Sequence, residues 1–120
     1  GDYIMNPKYI KKLERVLKNK GIYINGYIFE NEIVSTMQEE AENKGYNFND
    51  AIEFDEQDVE VKFEFENGST VEVEGSIDRT TKYYPGPDKE LPYNRTNINN
   101  IYVIDSQGNK SNCNFQYSYD

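Results

Sequence analysis

Residues 58–77 read DVEVKFEFENGSTVEVEGSI, and this stretch decides the fold. Apolar side chains alternate with charged ones in two runs, and the dipeptide Asn67-Gly68 separates the runs. Strict alternation of this length is typical of a β-strand with one buried and one solvated face, and Asn-Gly is a turn signal. The stretch therefore predicts a β-hairpin with one apolar face and one face rich in carboxylates.

The register of this hairpin follows from the rule that directly opposed residues share a face of the sheet. A two-residue turn would place apolar Phe63 opposite charged Glu72. A three-residue loop at 66–68, with Gly68 in the left-handed conformation of a bulge, instead places Phe63 opposite Val71. We predict the three-residue loop, because it keeps the apolar side chains together.

This register also sets the charge pairs on the outer face. It brings Lys62 opposite Glu72, which is favourable, and Glu60 opposite Glu74, which is not. We therefore expect repulsion between carboxylates to accumulate at the end of the hairpin away from the turn.

Two helices are predicted before the hairpin. Asn6 followed by proline is a helix start, and helical spacing of apolar residues predicts a helix over 7–20 and a second over 30–44, which ends at Gly45. Between them, 22–29 is interpreted as a short strand leading into a turn. The exposed face of the first helix carries Lys8, Lys11, Lys12, Arg15 and Lys18. We expect this face to be solvated.

The proline-rich stretch 80–97 is predicted to be a long irregular loop, because prolines at this density exclude regular structure. It carries Tyr83, Tyr84 and Tyr93, whose rings offer contact area at low entropic cost. After it, residues 98–104 and 113–119 are predicted to be two closing strands joined by a turn.

The predicted fold class is α+β, with two N-terminal helices packed on a mainly antiparallel sheet of two hairpins. A chain of 120 residues is the length of one ordinary domain, so we expect a single domain over 1–120. Its helical part is 7–45 and its β part is 46–120.

The charge of the chain bears on its partners. The formal charge is −9, and it is uneven: residues 1–21 carry six basic and two acidic side chains, so the remaining 99 residues have a charge of −13. Phosphates would be repelled by such a body, which argues against direct binding of nucleic acid or of an anionic membrane. A basic protein surface is the partner expected from this charge.

The sequence offers little support for catalysis. Histidine is absent, Cys113 is the only cysteine, and neither of the common glycine-rich nucleotide-binding motifs is present. We predict a protein that is not an enzyme and holds no cofactor, with Cys113 as a core or sheet residue. Incidental binding of calcium or magnesium by the acidic stretch 47–58 remains an alternative.

Localisation is predicted from the same counts. A single cysteine allows no internal disulfide, and no apolar run has the length of a membrane span. We expect the cytoplasm of a bacterial host, with secretion left open.

The candidate binding residues lie on the charged face of the hairpin and in the proline-rich stretch. Residues on one strand face repeat about every 6.5–7 Å, so the carboxylates would form rows of regular spacing, as phosphates do in nucleic acid. The predicted partner-binding residues are Glu60, Glu64, Glu66, Glu72, Glu74, Tyr83, Tyr84 and Tyr93. Charge would steer association and the tyrosines would slow dissociation.

A short acidic chain with two helices, an acidic sheet and no catalytic motif resembles the small phage-encoded inhibitors called anti-CRISPR proteins. The segments 71–75 (VEVEG) and 84–86 (YPG) are also similar to segments of uncharacterised β-rich phage proteins. The first resemblance implies an inhibitor that blocks a basic nucleic-acid-binding surface of a bacterial nuclease. Two alternatives stay open: a tyrosine-rich surface or secreted binding module, and a structural component of a phage particle.

Overall fold

A computed structural model describes residues 7–45, 54–83 and 90–119. The elements in chain order are α1 (Pro7–Asn19), α2 (Gly26–Asn43), β1 (Phe54–Glu64), β2 (Thr70–Tyr83), β3 (Glu90–Ile104), β4 (Lys110–Asn112) and β5 (Tyr117–Tyr119). All strand pairs are antiparallel, in the order β1-β2-β3-β4, and β5 also pairs with β3. The predicted α+β class, with the helices on the N-terminal side, is confirmed.

Both helices bury their apolar stripes together with one face of the sheet, which we call the inner face. The fully buried side chains of this core include Ile10, Leu13, Leu17, Phe29, Ile33, Met37, Val71, Val73, Ile77, Ile98, Ile101 and Val103. The Phe29 ring packs edge-on against Phe63, with ring centroids 5.2 Å apart. Removal of this much apolar surface from water is the main stabilising contribution to the fold. Neither helix combines the length and the apolar character needed to cross a lipid bilayer.

The predicted register of the first hairpin is confirmed. Phe63 lies opposite Val71, and the backbone N–H of Phe65 donates to the carbonyl of Ser69 at 2.9 Å. Gly68 has φ +86°, the left-handed conformation that the three-residue loop requires. The requirement that opposed residues share a face was therefore sufficient to predict the loop length.

The second helix begins earlier than predicted. It starts at Gly26 rather than at residue 30, so residues 26–29 are helical and the predicted strand and turn there are wrong. Asn25 is the N-cap: its Oδ1 accepts from the backbone N–H of Tyr27 at 3.0 Å and of Ile28 at 3.1 Å. Asparagine before glycine suits a turn and an N-cap equally well, which explains the error.

The prediction of an irregular loop over 80–97 is also wrong for residues 80–83 and 90–97, which are strand, and its central part, 84–89, lies outside the described residues. β2 continues to Tyr83 and β3 starts at Glu90, with Thr81 paired to Pro92 and Thr80 to Tyr93. In a strand with one open edge every second N–H points away from the neighbouring strand, so a proline is tolerated there. β3 is such a strand over this range, because its partner β5 extends only to Thr96.

The closing strands also differ from the prediction. The expected strand 113–119 is replaced by β4 and β5, with Cys113 and Phe115 buried in the connection between them. The sheet is therefore a meander in which β2 and β3 are long central strands. β2 and β3 pair beyond the ends of β1 and β5 as a two-stranded ribbon, and the molecule measures 56 × 30 × 18 Å.

Candidate functional site

Between Asp58 and Glu74, strands β1 and β2 carry five carboxylates on the outer face of the sheet, which is the face away from the helices. They alternate with Val59, Val61, Val71 and Val73, which are buried in the core. The pleat of a strand sends successive side chains to opposite faces, so burial of the valines orients the carboxylates outward. The five are Asp58, Glu60 and Glu64 on β1 and Glu72 and Glu74 on β2.

Near the hairpin turn, the negative charge of Glu72 is compensated. Glu72 is half-buried, and its carboxylate lies 3.5 Å from the Lys62 ammonium and 4.0 Å from that of Lys110. Lys110 also lies over the ring of Tyr102, 4.1 Å from its centroid. The predicted pair of Lys62 with Glu72 is confirmed. Lys110 and Tyr102 come from β4 and β3, and the hairpin sequence alone could not indicate them.

Away from the turn, the negative charge is less compensated. Glu60 lies directly opposite Glu74, as predicted. The Nδ2 of Asn100 donates to Glu74 Oε2 at 3.4 Å. An open depression of about 450 Å³ is lined by Lys44, Asp58, Val59, Glu60, Glu74, Gly75, Asn99 and Asn100. We call Asp58, Glu60 and Glu74 the acidic end of the outer face. Among the described residues, Lys44 is the one cation that lines the depression.

A bulge in β3 shapes this depression. Glu74 pairs with Asn100 and Gly75 pairs with Ile98, so Asn99 is an extra residue between them. A side chain at position 75 would collide with the backbone carbonyl of Asn97 and with the Met37 methyl group, so only glycine allows this approach. Bulges commonly occur beside functional sites, where they redirect side chains.

A polar network crosses the sheet beyond the bulge. The Ser76 hydroxyl donates to Glu56 at 2.6 Å and accepts from Asn97 Nδ2 at 3.2 Å, and Asn97 accepts from the Ser118 hydroxyl at 2.6 Å. Hydrogen bonds that satisfy buried polar atoms of this kind hold neighbouring strands in register. The network includes Glu56, which lies in the stretch where the sequence suggested cation binding. In the structure, the Glu56 carboxylate accepts from the Ser76 hydroxyl.

Metal binding finds no support in the described residues. Within 7–45, 54–83 and 90–119, no three His, Cys, Asp or Glu side chains are arranged to hold a metal ion. Of the stretch 47–58, the residues up to 53 lie outside the described residues, and the rest belong to β1. The acidic end can accept hydrogen bonds from cationic side chains instead.

The remaining predicted site residues are dispersed. Glu64 is exposed on β1 opposite Thr70. Glu66 lies in the turn after β1 has ended, so the prediction that it continues the strand row is wrong.

The tyrosines are distant from the acidic end. Tyr93 pairs with Thr80, and Tyr83 ends β2, nine residues beyond Glu74. At about 3.3 Å per residue, Tyr83 is on the order of 30 Å from Glu74 along the strand. Tyr84 lies outside the described residues. Tyr83 therefore does not share one site with Glu74.

Cys113 is a core residue, as its place in an apolar alternation predicted. Burial raises the pKa of its thiol to about 11, so the thiol stays protonated at neutral pH. The thiolate is the nucleophilic form of cysteine, and this side chain is thus poorly suited to attack a substrate.

Comparison with known proteins gives no match: no family model fits the chain, and no curated protein or solved structure is similar to it.

Proposed function

We propose that the protein is a non-catalytic binding protein that docks the acidic end of its sheet on a basic surface of a nucleic-acid-processing protein. The observation that carries this proposal is the direct opposition of Glu60 and Glu74 beside an open depression. Like charges directly opposed on neighbouring strands destabilise a sheet. A cationic side chain inserted from a partner would relieve that repulsion. This relief would make the free energy of binding more favourable.

Overall charge supports the same partner. The chain carries a net −9, which attracts a basic surface over the distance of a Debye length and raises the association rate. Grooves that hold a phosphate backbone are basic surfaces of this kind. We therefore propose an inhibitor that competes with nucleic acid for such a groove, as a phage-encoded inhibitor of a bacterial nuclease would.

The outer face also limits the size of the contact. Glu72 has two cations beside it, so near the turn its carboxylate is less available to a partner than that of the exposed Glu64. We assign binding to Asp58, Glu60 and Glu74, with Glu64 at the margin.

The test is affinity capture from a bacterial lysate at low salt with two variants of equal charge. The double variant Glu60→Lys/Glu74→Lys removes the acidic end, and Glu39→Lys/Glu42→Lys makes the same charge change on exposed positions of α2. We expect the wild type and the α2 variant to retain a nuclease or other nucleic-acid enzyme that salt releases. The sheet variant should lose it.

Two results would contradict the proposal. Equal loss with both variants would mean that total charge, and not the acidic end, determines capture. Capture of the same protein by the sheet variant, or capture that high salt does not release, would exclude an electrostatic contact at this face.

A further inference from the structure

The exposed cations of α1 differ from those of the sheet in whether a carboxylate lies close to them. Lys11, Lys12, Arg15 and Lys18 are exposed, and none of them has an acidic side chain within 4 Å among the described residues. Arg15 follows Lys11 by four residues and Lys12 by three, and Lys18 follows Arg15 by three, which places them along one side of the helix. These cations contrast with the chain as a whole, which has nine excess negative charges.

On the rest of the molecule, cations generally meet carboxylates. Lys20 lies 3.3 Å from Asp105, and Arg95 binds Asp78 through two nitrogens. On the outer face, Lys62 and Lys110 both approach Glu72, as described above. Within the part of the chain that the structure describes, no carboxylate pairs with this side of α1.

Beside these cations, the connection from α1 to α2 and the first turn of α2 expose large apolar side chains. Tyr23 is 78% exposed, Ile28 64% and Tyr27 46%. Gly26 holds this segment against α1, since a Cβ at that position would lie 2.6 Å from the Ile10 side chain. Exposed aromatic and aliphatic groups that are held in place are typical of protein-binding surfaces. We call Arg15, Lys18, Tyr23, Tyr27 and Ile28 the helix corner.

Two open depressions lie on either side of Tyr23. One, of about 350 Å³, is lined by Glu14, Lys18, Ile22, Tyr23, Ile24 and Asn25. The other, of about 390 Å³, is lined by Gly21, Ile22, Tyr23, Ile24, Phe65, Glu66 and Asn67. Lys18 and Tyr23 both line the first depression. Each depression is large enough to accept an apolar side chain.

We infer that the helix corner binds an acidic protein segment that inserts an apolar side chain beside Tyr23 and places its carboxylates against Lys18 and Arg15. Exposed ion pairs contribute little by themselves, so burial of Tyr23 and Ile28 supplies most of the affinity. The cations select a negatively charged partner and speed its association.

A protein partner fits this surface better than nucleic acid does. Glu14 lines one depression and Glu66 lines the other, and both would repel a phosphate backbone. A peptide can instead present an apolar side chain to the depression and direct its carboxylates to the cations. This surface is separate from the acidic end, so the inference does not depend on the proposed function.

The test is an NMR titration of the ¹⁵N-labelled protein with a synthetic peptide of Asp and Glu around a central Leu-Phe pair. We expect saturable shifts at the amides of Lys18, Tyr23, Tyr27 and Ile28, and none at Glu60 or Glu74. A control peptide with Asn and Gln in place of the acids should bind about tenfold more weakly.

Variants of the protein test which side chains contact the peptide. Tyr23→Ala and Lys18→Glu should each weaken binding at least about fivefold, because both positions are exposed and contribute to the corner. The matched control is Lys44→Glu, which makes the same charge change at the far end of α2 and should leave the affinity unchanged. The amide spectrum of each variant reports whether the fold is intact.

Two outcomes would overturn the inference. One is the lack of saturable shifts at the helix corner at about 1 mM peptide, a concentration that detects even weak binding. The other is saturation of the same amides by an oligothymidylate at a lower concentration than by the peptide, which would assign the corner to nucleic acid.

Discussion

The two ends of the outer face are built from one alternating sequence, yet they differ in charge. Near the turn, Glu72 is flanked by Lys62 and Lys110. Away from the turn, Glu60 and Glu74 oppose each other with Asp58 nearby. The difference arises from which strands lie beside the hairpin, because β4 supplies a cation only at the end near the turn.

The ends also differ in how they are anchored. At the turn, Asn67 Nδ2 donates to the Lys20 carbonyl at 2.9 Å, and the Lys20 ammonium reaches Asp105 at 3.3 Å. Lys20, directly after α1, thereby contacts both the turn between β1 and β2 and the turn between β3 and β4. The acidic end has the bulge at Asn99 instead, with an open depression beside it. A stabilised end and an end with unrelieved repulsion thus lie on the same two strands.

The largest expected effect comes from the bulge that shapes the acidic end. Gly75→Val should lower the free energy of unfolding by about 3 kcal/mol, because the new side chain collides with the Asn97 backbone and with Met37. Urea denaturation measures this change. The control is Gly108→Ala, which has open space but φ +87° and should cost only about 1 kcal/mol in backbone strain. Equal losses in the two variants would contradict the role of crowding at position 75.

The next largest expected effect is an increase in the free energy of unfolding. Glu60→Lys should raise the free energy of unfolding by about 1 kcal/mol, because a repulsive cross-strand pair with Glu74 becomes an attractive one. The gain should shrink in high salt, which screens exposed charges. Glu39→Lys, on the exposed side of α2, is the charge-matched control. A comparable gain in that variant would mean that net charge alone was responsible.

At the end near the turn, loss of a carboxylate should destabilise the fold slightly. Glu72→Gln should lower the free energy of unfolding by about 0.5 kcal/mol, since Lys62 and Lys110 both lose their partner. Thermal or urea unfolding at low salt provides the measurement. Glu64→Gln is the control, because Glu64 has no cation within 4 Å among the described residues. If both substitutions have the same effect, Lys62 and Lys110 do not stabilise the Glu72 carboxylate.

The smallest effect concerns the turn that Lys20 reaches. Hydrogen bonds to Asp105, led by the backbone N–H of Asn109 and supported by its side chain, by the Gln107 N–H and by Lys20, lower the pKa of the carboxyl from 3.8 to about 2. The pKa is lower in the folded state, so this carboxylate stabilises the fold fully above about pH 4 and progressively less as the pH falls through 2.

Asp105→Asn removes this pH dependence. Unfolding free energies from urea titrations between about pH 2 and pH 5 should fall less steeply on acidification in the variant than in the wild type. Parallel curves for the two proteins would show that the carboxylate is not stabilised in the fold.

Much of the fold could be predicted from residue patterns. The hairpin register followed from the need to keep Phe63 and Val71 on one face, and both helices followed from apolar spacing. The errors share one cause: a local signal had two possible meanings. Asn25-Gly26 suited a turn or a helix cap, and the prolines near residue 92 suited a loop or an open strand edge. Only the position of neighbouring elements distinguishes these alternatives.

The candidate site was predictable only in part. Alternation identified the outward carboxylates, and the register identified the opposed pair of Glu60 and Glu74. It could not indicate that Tyr83 lies far along β2 from that pair, or that Lys110 compensates Glu72. Exposure of the helix corner was equally hidden, because Tyr23 and Ile28 are apolar residues that a pattern assigns to a core.

By itself, the sequence determined the two helices, the hairpin and its register, and the separation of charge between α1 and the sheet, because these depend on side-chain periodicity and composition. The tertiary structure alone decided which carboxylates stay uncompensated, where the bulge opens a depression, and which tyrosines face solvent. These properties depend on residues that are distant in sequence and adjacent in space, and a short-range pattern carries no information about such contacts.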